Sequence, residues 1–263
     1  EKIKFDVAFM AIHGSPGEDG KLQGYLDMKK IPYTCCGVIA ASVTFNKNFC
    51  KTLVKEIGVA QAKGLLIKKA DNIENKIQHI QDSFKFPLFV KPNNNGSSYG
   101  ISKVKEYKGL QHAITESFKY DDEVLVEEGL TGTEVTCGVY QYKKEIIVLP
   151  VCEVITDKHE FFDYTAKYIS GESDEIIPAR ISHAASKNVA EISIAIYKHL
   201  GCKGCVRIDY MLIGDIPHFL EVNTVPGISE ASIVPKMAKV SGLTLPEFFS
   251  RLIEESFPAT ENN

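Results

Sequence analysis

The apolar and polar positions of the chain change period several times. Phe5 to Ile12 is an apolar run of strand length that ends at the polar, glycine-rich "HGSPGEDG". A helical pattern, "KLQGYLDMKK", follows, and strand, glycine loop and helix in that order are an α/β signature. A second short strand is expected near "PYTCCG". From Asn46 the pattern is helical, with Phe49, Leu53 and Ile57 recurring at fours and Gly58 as the stop. Residues 71–84 predict another amphipathic helix, with Ile73, Ile77, Ile80 and Phe84 on one stripe and Asp71 as N-cap. "PLFVKP" and "EVLVEE" read as strands, and "EVTCGVYQY" and "EIIVLPVCEV" as antiparallel strands joined at "YKKE". Residues 156–178 show no periodicity and many aromatic and charged side chains; loops of that length are usually functional lids or disordered. "SKNVAEISIAIYKHLG" is a helix with Val189, Ile192, Ile196 and Leu200 on one stripe and Gly201 as its stop. "CVRIDYMLI" and "PHFLEVN", separated by Gly214-Asp215, read as a hairpin. A last helix is expected near residues 245–257. Helices mixed with antiparallel strands give an α+β fold with an α/β N-terminal part.

The hairpin carries the most chemistry. Val206, Ile208, Tyr210 and Leu212 alternate with Arg207, Asp209 and Met211, and side chains two apart share a face. Glu221 and Asn223 share a face of the second strand, with Leu220 and Val222 on the other. With the turn near Asp215, Asp209 lies across from Glu221 and Arg207 across from Asn223. Two carboxylates in that position repel, and a cation between them reverses the penalty. Asp, Glu and Asn are oxygen ligands suited to Mg²⁺, with phosphates completing the shell. A solvent-facing polar strand face explains the same residues about equally well. Arg207 beside the carboxylates favours a phosphate or oxyanion site.

Lys91 ends a strand, and residues 96–100 ("GSSYG") follow as a loop able to offer N–H groups and hydroxyls to an anion. The loop has neither the Gly-Lys-Ser/Thr of a Walker loop nor a G-x-G-x-x-G fingerprint, and a strand-end lysine beside a surface turn is the plainer reading of it in isolation. Glu127, Glu128 and Glu134 around "EVLVEEGLTGTE" suit an adenine amino group and a ribose, or a plain surface.

The chain has 263 residues and a formal net charge of −4, which argues against diffuse nucleic-acid or anionic-membrane binding. No apolar window is long enough for a membrane span, and the first residues do not form a secretory signal. Seven cysteines in no regular framework read as reduced thiols of a cytosolic protein. Cys202-Lys-Gly-Cys205 supplies half a zinc site at most, and two half-buried structural thiols is the better reading.

Taken in order, "HGSPGEDGKLQG", "FNK", "LFVKPNNNGSSYGISKV", "LVEEGLTGTE", "FFDYTAKY", "RIDY" and "EVNTVPGISEASIVPK" strongly resemble the D-alanine–D-alanine ligases of the ATP-grasp superfamily. The resemblance runs to about Phe257. It implies an ATP-grasp fold with ATP held between central and C-terminal α+β domains, and domains at 1–42 (N-terminal, incomplete), 43–127, 128–258 and a tail at 259–263. It implies ATP-dependent joining of two D-alanine molecules through an acyl phosphate, for peptidoglycan, in the cytoplasm. The cofactor set it implies is ATP as substrate with two Mg²⁺ ions, or Mn²⁺ in their place.

Roles carry over by position. Lys47 and Lys91 hold phosphates, and Ser97 and Ser98 lie in the loop that closes over them. Glu127, Glu128 and Leu130 border adenine, the last two through backbone or packing, and Glu134 takes the ribose. Asp209, Glu221 and Asn223 hold metal. Arg207 and the Gly227 N–H stabilise the oxyanion, and Lys167 meets the transferred phosphoryl group. His13, Tyr168, Ser232 and Ile233 line the D-alanine subsites, with residues 160–168 as a lid. Tyr168 favours an amine as second substrate over D-lactate. The partners implied are small molecules and, when the N-terminal domain is complete, a second copy in a homodimer.

The family's first strand, glycine loop and helix, with a glutamate that fixes the first D-alanine, precede the residues matched here. The expectation is that the chain is a fragment of a longer protein. An ATP-binding module without ligation and a D-alanine–D-lactate ligase are the alternatives.

Overall fold

The computed structural model describes residues 4–94, 96, 99–155 and 174–257. Two antiparallel sheets organise it. The smaller is built from β1 (Gly64–Lys68), β2 (Leu88–Pro92), β3 (Ser102–Val104) and β4 (Glu123–Glu128), in the order β1-β4-β2-β3. Helices α4 (Ile73–Ser83) and α5 (Leu110–Ser117) cover it, and Ile67, Ile80, Leu88, Val90, Leu110 and Val124 form its dry core. The expected Ile77, Ile80 and Phe84 stripe is buried there. The cap of α4 is Asn72, whose side chain accepts from the Asn75 N–H at 3.0 Å. Asp71, the expected cap, accepts from the Lys68 N–H at 2.9 Å instead and closes the preceding turn.

The larger sheet contains β5 (Thr133–Tyr142), β6 (Glu145–Val148), β7 (Cys152–Ile155), β8 (Asp174–Ile176), β9 (Cys205–Ile213) and β10 (Ile216–Asn223). Its order is β10-β9-β5-β7-β8, with β6 also on β5. The segment "EIIVLPVCEV" is two strands, not one. Pro150 has no N–H for a ladder, and the chain steps from the Tyr142 end of β5 to its Val135 end. Helices α2 (Val38–Phe45), α3 (Lys47–Glu56) and α6 (His183–His199) pack one face of this sheet. Helices α7 (Ile233–Val240) and α8 (Leu245–Ser256) pack the other.

The N-terminal part holds α1 (Lys21–Met28) and a small core of Met10, Leu26, Cys35 and Val225. Phe5 to Ile12 forms no strand: Ala8 pairs in parallel with Tyr33 as an isolated bridge, and the Met10 N–H donates to Thr34 Oγ1 at 3.0 Å. Met10 alone of its large apolar side chains is buried, so there is no two-sided burial to demand a longer ladder. Cys202 and Cys205 are buried free thiols, and burial pushes Cys205 well up, as an inert structural thiol requires.

Asn93, fully buried at the end of β2, ties the two halves together. Its Oδ1 accepts from the Asn48 N–H at 2.9 Å and its Nδ2 donates to Glu123 at 2.8 Å. Its carbonyl accepts from the Lys47 N–H at 3.0 Å. The N-terminus of α3 is thereby fixed to the small sheet. Asn93→Ala strands a buried N–H and is expected to cost ~1–3 kcal/mol in urea unfolding; a loss under about 0.5 kcal/mol, the level of a neutral surface substitution, would contradict this role.

Candidate active site

The β9–β10 hairpin adopts the expected pairing at the site, Asp209 opposite Glu221 and Arg207 opposite Asn223. It reaches it by a different route. The turn is the two-residue Gly214-Asp215, with Gly214 at φ +59°, and pairs Ile213 with Ile216 through Tyr210 with Phe219. That register alone puts Leu220 opposite Asp209. A bulge between Phe219 and Glu221 inserts one residue and shifts it. As a result Phe219 and Val222, three apart, both enter the core, while Leu220, expected beside Val222, is not part of that core.

On the polar face, Arg207 grips Asp209 through two bonds, Nε to Oδ1 at 2.9 Å and Nη2 to Oδ2 at 2.8 Å. Thr136 of β5 donates to Oδ1 at 2.5 Å, and Asn223 Nδ2 donates to Oδ2 at 3.0 Å. Burial disfavours the Arg207 charge, but Asp209, Glu221 and Glu18 outweigh it and push its pKa up. A guanidinium held flat by a bidentate carboxylate is oriented before substrate arrives. Two carboxylates and an amide oxygen on one strand face match the donor chemistry of a hard divalent cation. Among the described residues no group of three or more His, Cys, Asp or Glu offers a complete protein cage. The fit is therefore to a cation that shares its shell with phosphate oxygens and water.

A cleft beside this face is lined by Glu18, Thr44, Phe45, Lys47, Gly96, Glu221, Val222, Asn223 and Thr224. It brings together the expected phosphate lysine Lys47, Gly96 and two of the three expected metal ligands, Glu221 and Asn223. Lys47 gets there because Asn46 caps α3, accepting from the Phe49 N–H at 2.9 Å. The buried face of that helix is Lys47, Cys50, Lys51 and Val54. Of the expected stripe, Leu53 and Ile57 pack against the core of the large sheet, whereas Phe49 is 59% exposed, because the buried face of the helix runs through Lys47 and Lys51. Lys91 of β2 forms a close ion pair with Glu127 Oε2. Lys51 was not singled out in the sequence; its spacing of four from Lys47 was the available signal.

His13 lies on the other side. Its Nδ1 is 3.1 Å from the Val225 carbonyl and 3.0 Å from Glu18 Oε2. Glu18, 5% exposed, also accepts from the Gly14 N–H at 2.7 Å and the Val225 N–H at 2.8 Å. It fastens the N-terminal loop to the segment leaving β10, and sequence reasoning gave it no role. The Glu18 hydrogen bond lifts the His13 pKa above its ordinary 6.5 against burial and the Arg207 charge.

Gly227 stands in the same segment. A Cβ there would lie 2.8 Å from Ser232 Oγ, so the two segments approach closely at this glycine. Ser232 caps α7 and Ile233 begins it. The Glu128 side chain accepts from the Lys85 N–H at 2.8 Å. Leu130 lies between β4 and β5, and Glu134 stands on β5 opposite Met211. Ser97, Ser98, Lys167 and Tyr168, with the expected lid, fall outside the described residues.

The His13–Glu18 pair has a definite pH signature. A raised pKa means its stabilisation is full below about pH 6.5 and fades as pH rises through the folded-state value. An NMR titration of the His13 ring is expected to show a midpoint above 6.5 that falls in Glu18→Gln. A midpoint unmoved by that substitution would contradict the pairing.

Two family models match the chain, the D-ala D-ala ligase C-terminus over residues 53–254 and the N-terminus over residues 1–36. A D-alanine–D-alanine ligase of Bacteroides fragilis is 43% identical over 98% of this chain and 78% of its own. That of Azobacteroides pseudotrichonymphae is 44% identical over 97% and 78%. Among solved structures, the VanG D-Ala:D-Ser ligase of Enterococcus faecalis superposes with a TM-score of 0.88 at 37% identity, covering 98% of this chain and 74% of that one. The D-alanine–D-alanine ligase of Bacillus anthracis complexed with ATP gives 0.79 at 28% identity, over 95% and 79%. With the ATP-grasp arrangement of antiparallel sheets and this cleft between them, the chain belongs to the D-alanine–D-alanine ligase family.

Proposed function

We propose that the protein joins two D-alanine molecules in an ATP-dependent reaction that supplies D-alanyl-D-alanine for peptidoglycan. The observation that carries this reading is the Asp209–Glu221 and Arg207–Asn223 pairing beside a cleft that also holds Lys47 and Gly96. A carboxylate oxygen of the first D-alanine attacks the γ-phosphorus of ATP, and ADP leaves. The amine of the second D-alanine then attacks the acyl carbon, loses a proton, and phosphate departs.

Each residue acts by position and charge. Lys47 and Lys91 hold the nucleotide phosphates, with Ser98 and Lys167 near the transferred group. Glu127, Glu128 and Leu130 border adenine, and Glu134 takes the ribose. Arg207 and the Gly227 N–H receive the developing oxyanion. His13, Ser97, Tyr168, Ser232 and Ile233 line the amino-acid subsites. Asp209, Glu221 and Asn223 hold Mg²⁺, two ions in this reading, which neutralises phosphate charge when bound. Units at 1–42, 43–127 and 128–258 belong to the same proposal, and the passage from the small sheet to the large one after Glu128 supports the last of these boundaries.

Free, buried thiols suit a reducing compartment such as the cytoplasm, and no helix among the described residues is long and apolar enough to cross a membrane. A homodimer belongs to the same proposal.

Incubation with Mg·ATP and D-alanine is expected to release ADP and D-alanyl-D-alanine in equal amounts. No D-alanine-dependent ADP would sink the ligase reading. Supplying D-lactate or D-serine beside D-alanine separates the second substrates, since the VanG neighbour is a D-Ala:D-Ser ligase; a dominant mixed product at neutral pH would overturn D-alanine as the second substrate. Glu221→Gln should lower Mg²⁺-dependent turnover by at least about 10–100-fold while Tm moves by only a few degrees. Equal loss of both would mean a structural carboxylate.

A further inference from the structure

Glu127 is 4% exposed and stands in the middle of the small sheet, opposite Gly64 of β1 and Phe89 of β2. A Cβ at position 64 would crowd its Cγ at 3.3 Å, so the glycine leaves room for this side chain. Its two oxygens go to lysines of different elements. Oε2 takes Lys91 of β2, and Oε1 lies 2.5 Å from Lys51 Nζ of α3. The Lys51 contact is a close ion pair outside hydrogen-bond alignment. Lys51 is 9% exposed and Lys91 14% at the side chain.

Charge counting gives the arrangement its meaning. Lys91 and Glu127 alone form a neutral pair. Lys51 makes the group two ammoniums and one carboxylate, with one net positive charge. Burial pulls the Lys51 pKa down, as does Lys91, and Glu127 opposes them. Burial pushes Glu127 up, but the two lysines hold it at about 2. The carboxylate therefore stays charged and shared.

We propose that Lys51 is a positioning residue for nucleotide binding: by taking one oxygen of Glu127 from the α3 side, it keeps Lys91's charge available to the phosphates. This rests on the reading that Lys91 meets those phosphates. Lys51 itself touches no ligand; it acts through Glu127 on Lys91, whereas Lys47, one turn earlier, lines the cleft directly.

Calorimetric titration of the full chain with Mg·ADP tests it. Lys91→Met is expected to weaken binding, Lys51→Met to weaken it about tenfold, and the double variant to lose no more than about twofold beyond Lys91→Met, since two groups on one path do not add. Parent-like affinity in Lys51→Met, or losses that multiply, would overturn the inference. No binding by the parent, or none lost in Lys91→Met, would overturn the underlying nucleotide reading and this inference with it. A second comparison removes the shared carboxylate itself. In a Glu127→Gln background, Lys51→Met should change the dissociation constant by less than about twofold, because there is no carboxylate left to offset. A further tenfold loss there would show Lys51 acting by another route. A merely structural lysine would lower Tm and leave the single variant's affinity unchanged.

Discussion

Two carboxylates, Asp209 and Glu221, face each other across adjacent strands, and the inserted residue at Leu220 is what puts them there. Strand parity is strict, so without the bulge Val222 would turn to the polar face and Glu221 to the core. The apolar and ionic requirements of β10 cannot both be met by a regular strand. The same strand continues through Asn223 and Thr224 to Val225, whose N–H anchors Glu18, and on to Gly227. The hairpin carboxylates, the His13 loop and the segment that carries Gly227 thus hang on one register.

The charges around this hairpin are satisfied in advance. Asp209 is held by Arg207, Thr136 and Asn223, and Glu127 by two lysines. Exposed pairs such as Lys69–Asp122 contribute little to stability. Buried ones are different, because removing one partner leaves a charge with no solvent to relax it. Their worth here is in fixing where the charged groups sit, which is how a site built on positioning works.

Much of this was legible in the residues. Alternation in "VRIDYML" and "HFLEVN" reports a two-faced hairpin, and strand-length apolar runs report β2, β4 and β5. The bulge was not legible, since it answers to packing of Phe219 and Val222 against helices and strands distant in sequence and carries no glycine or proline mark. Lys51 was hidden because apolar periodicity assumes that the inward face of a helix is apolar, and α3 turns Lys47 and Lys51 inward. Helices α2, α5 and α7 are short, and their periods cannot be separated from buried strands in so few residues. Pro150 was the visible warning that one predicted strand would be two.

The central claim is that the cleft between the sheets holds nucleotide phosphates against Lys47 and Lys91 with Mg²⁺ on the hairpin carboxylates. A crystal structure with Mg·ADP tests it most directly. The account predicts metal bridging Asp209 or Glu221 to a phosphate, with both lysines on the phosphates and Lys51 still on Glu127. Nucleotide bound away from the hairpin, or metal held without either carboxylate, would contradict it.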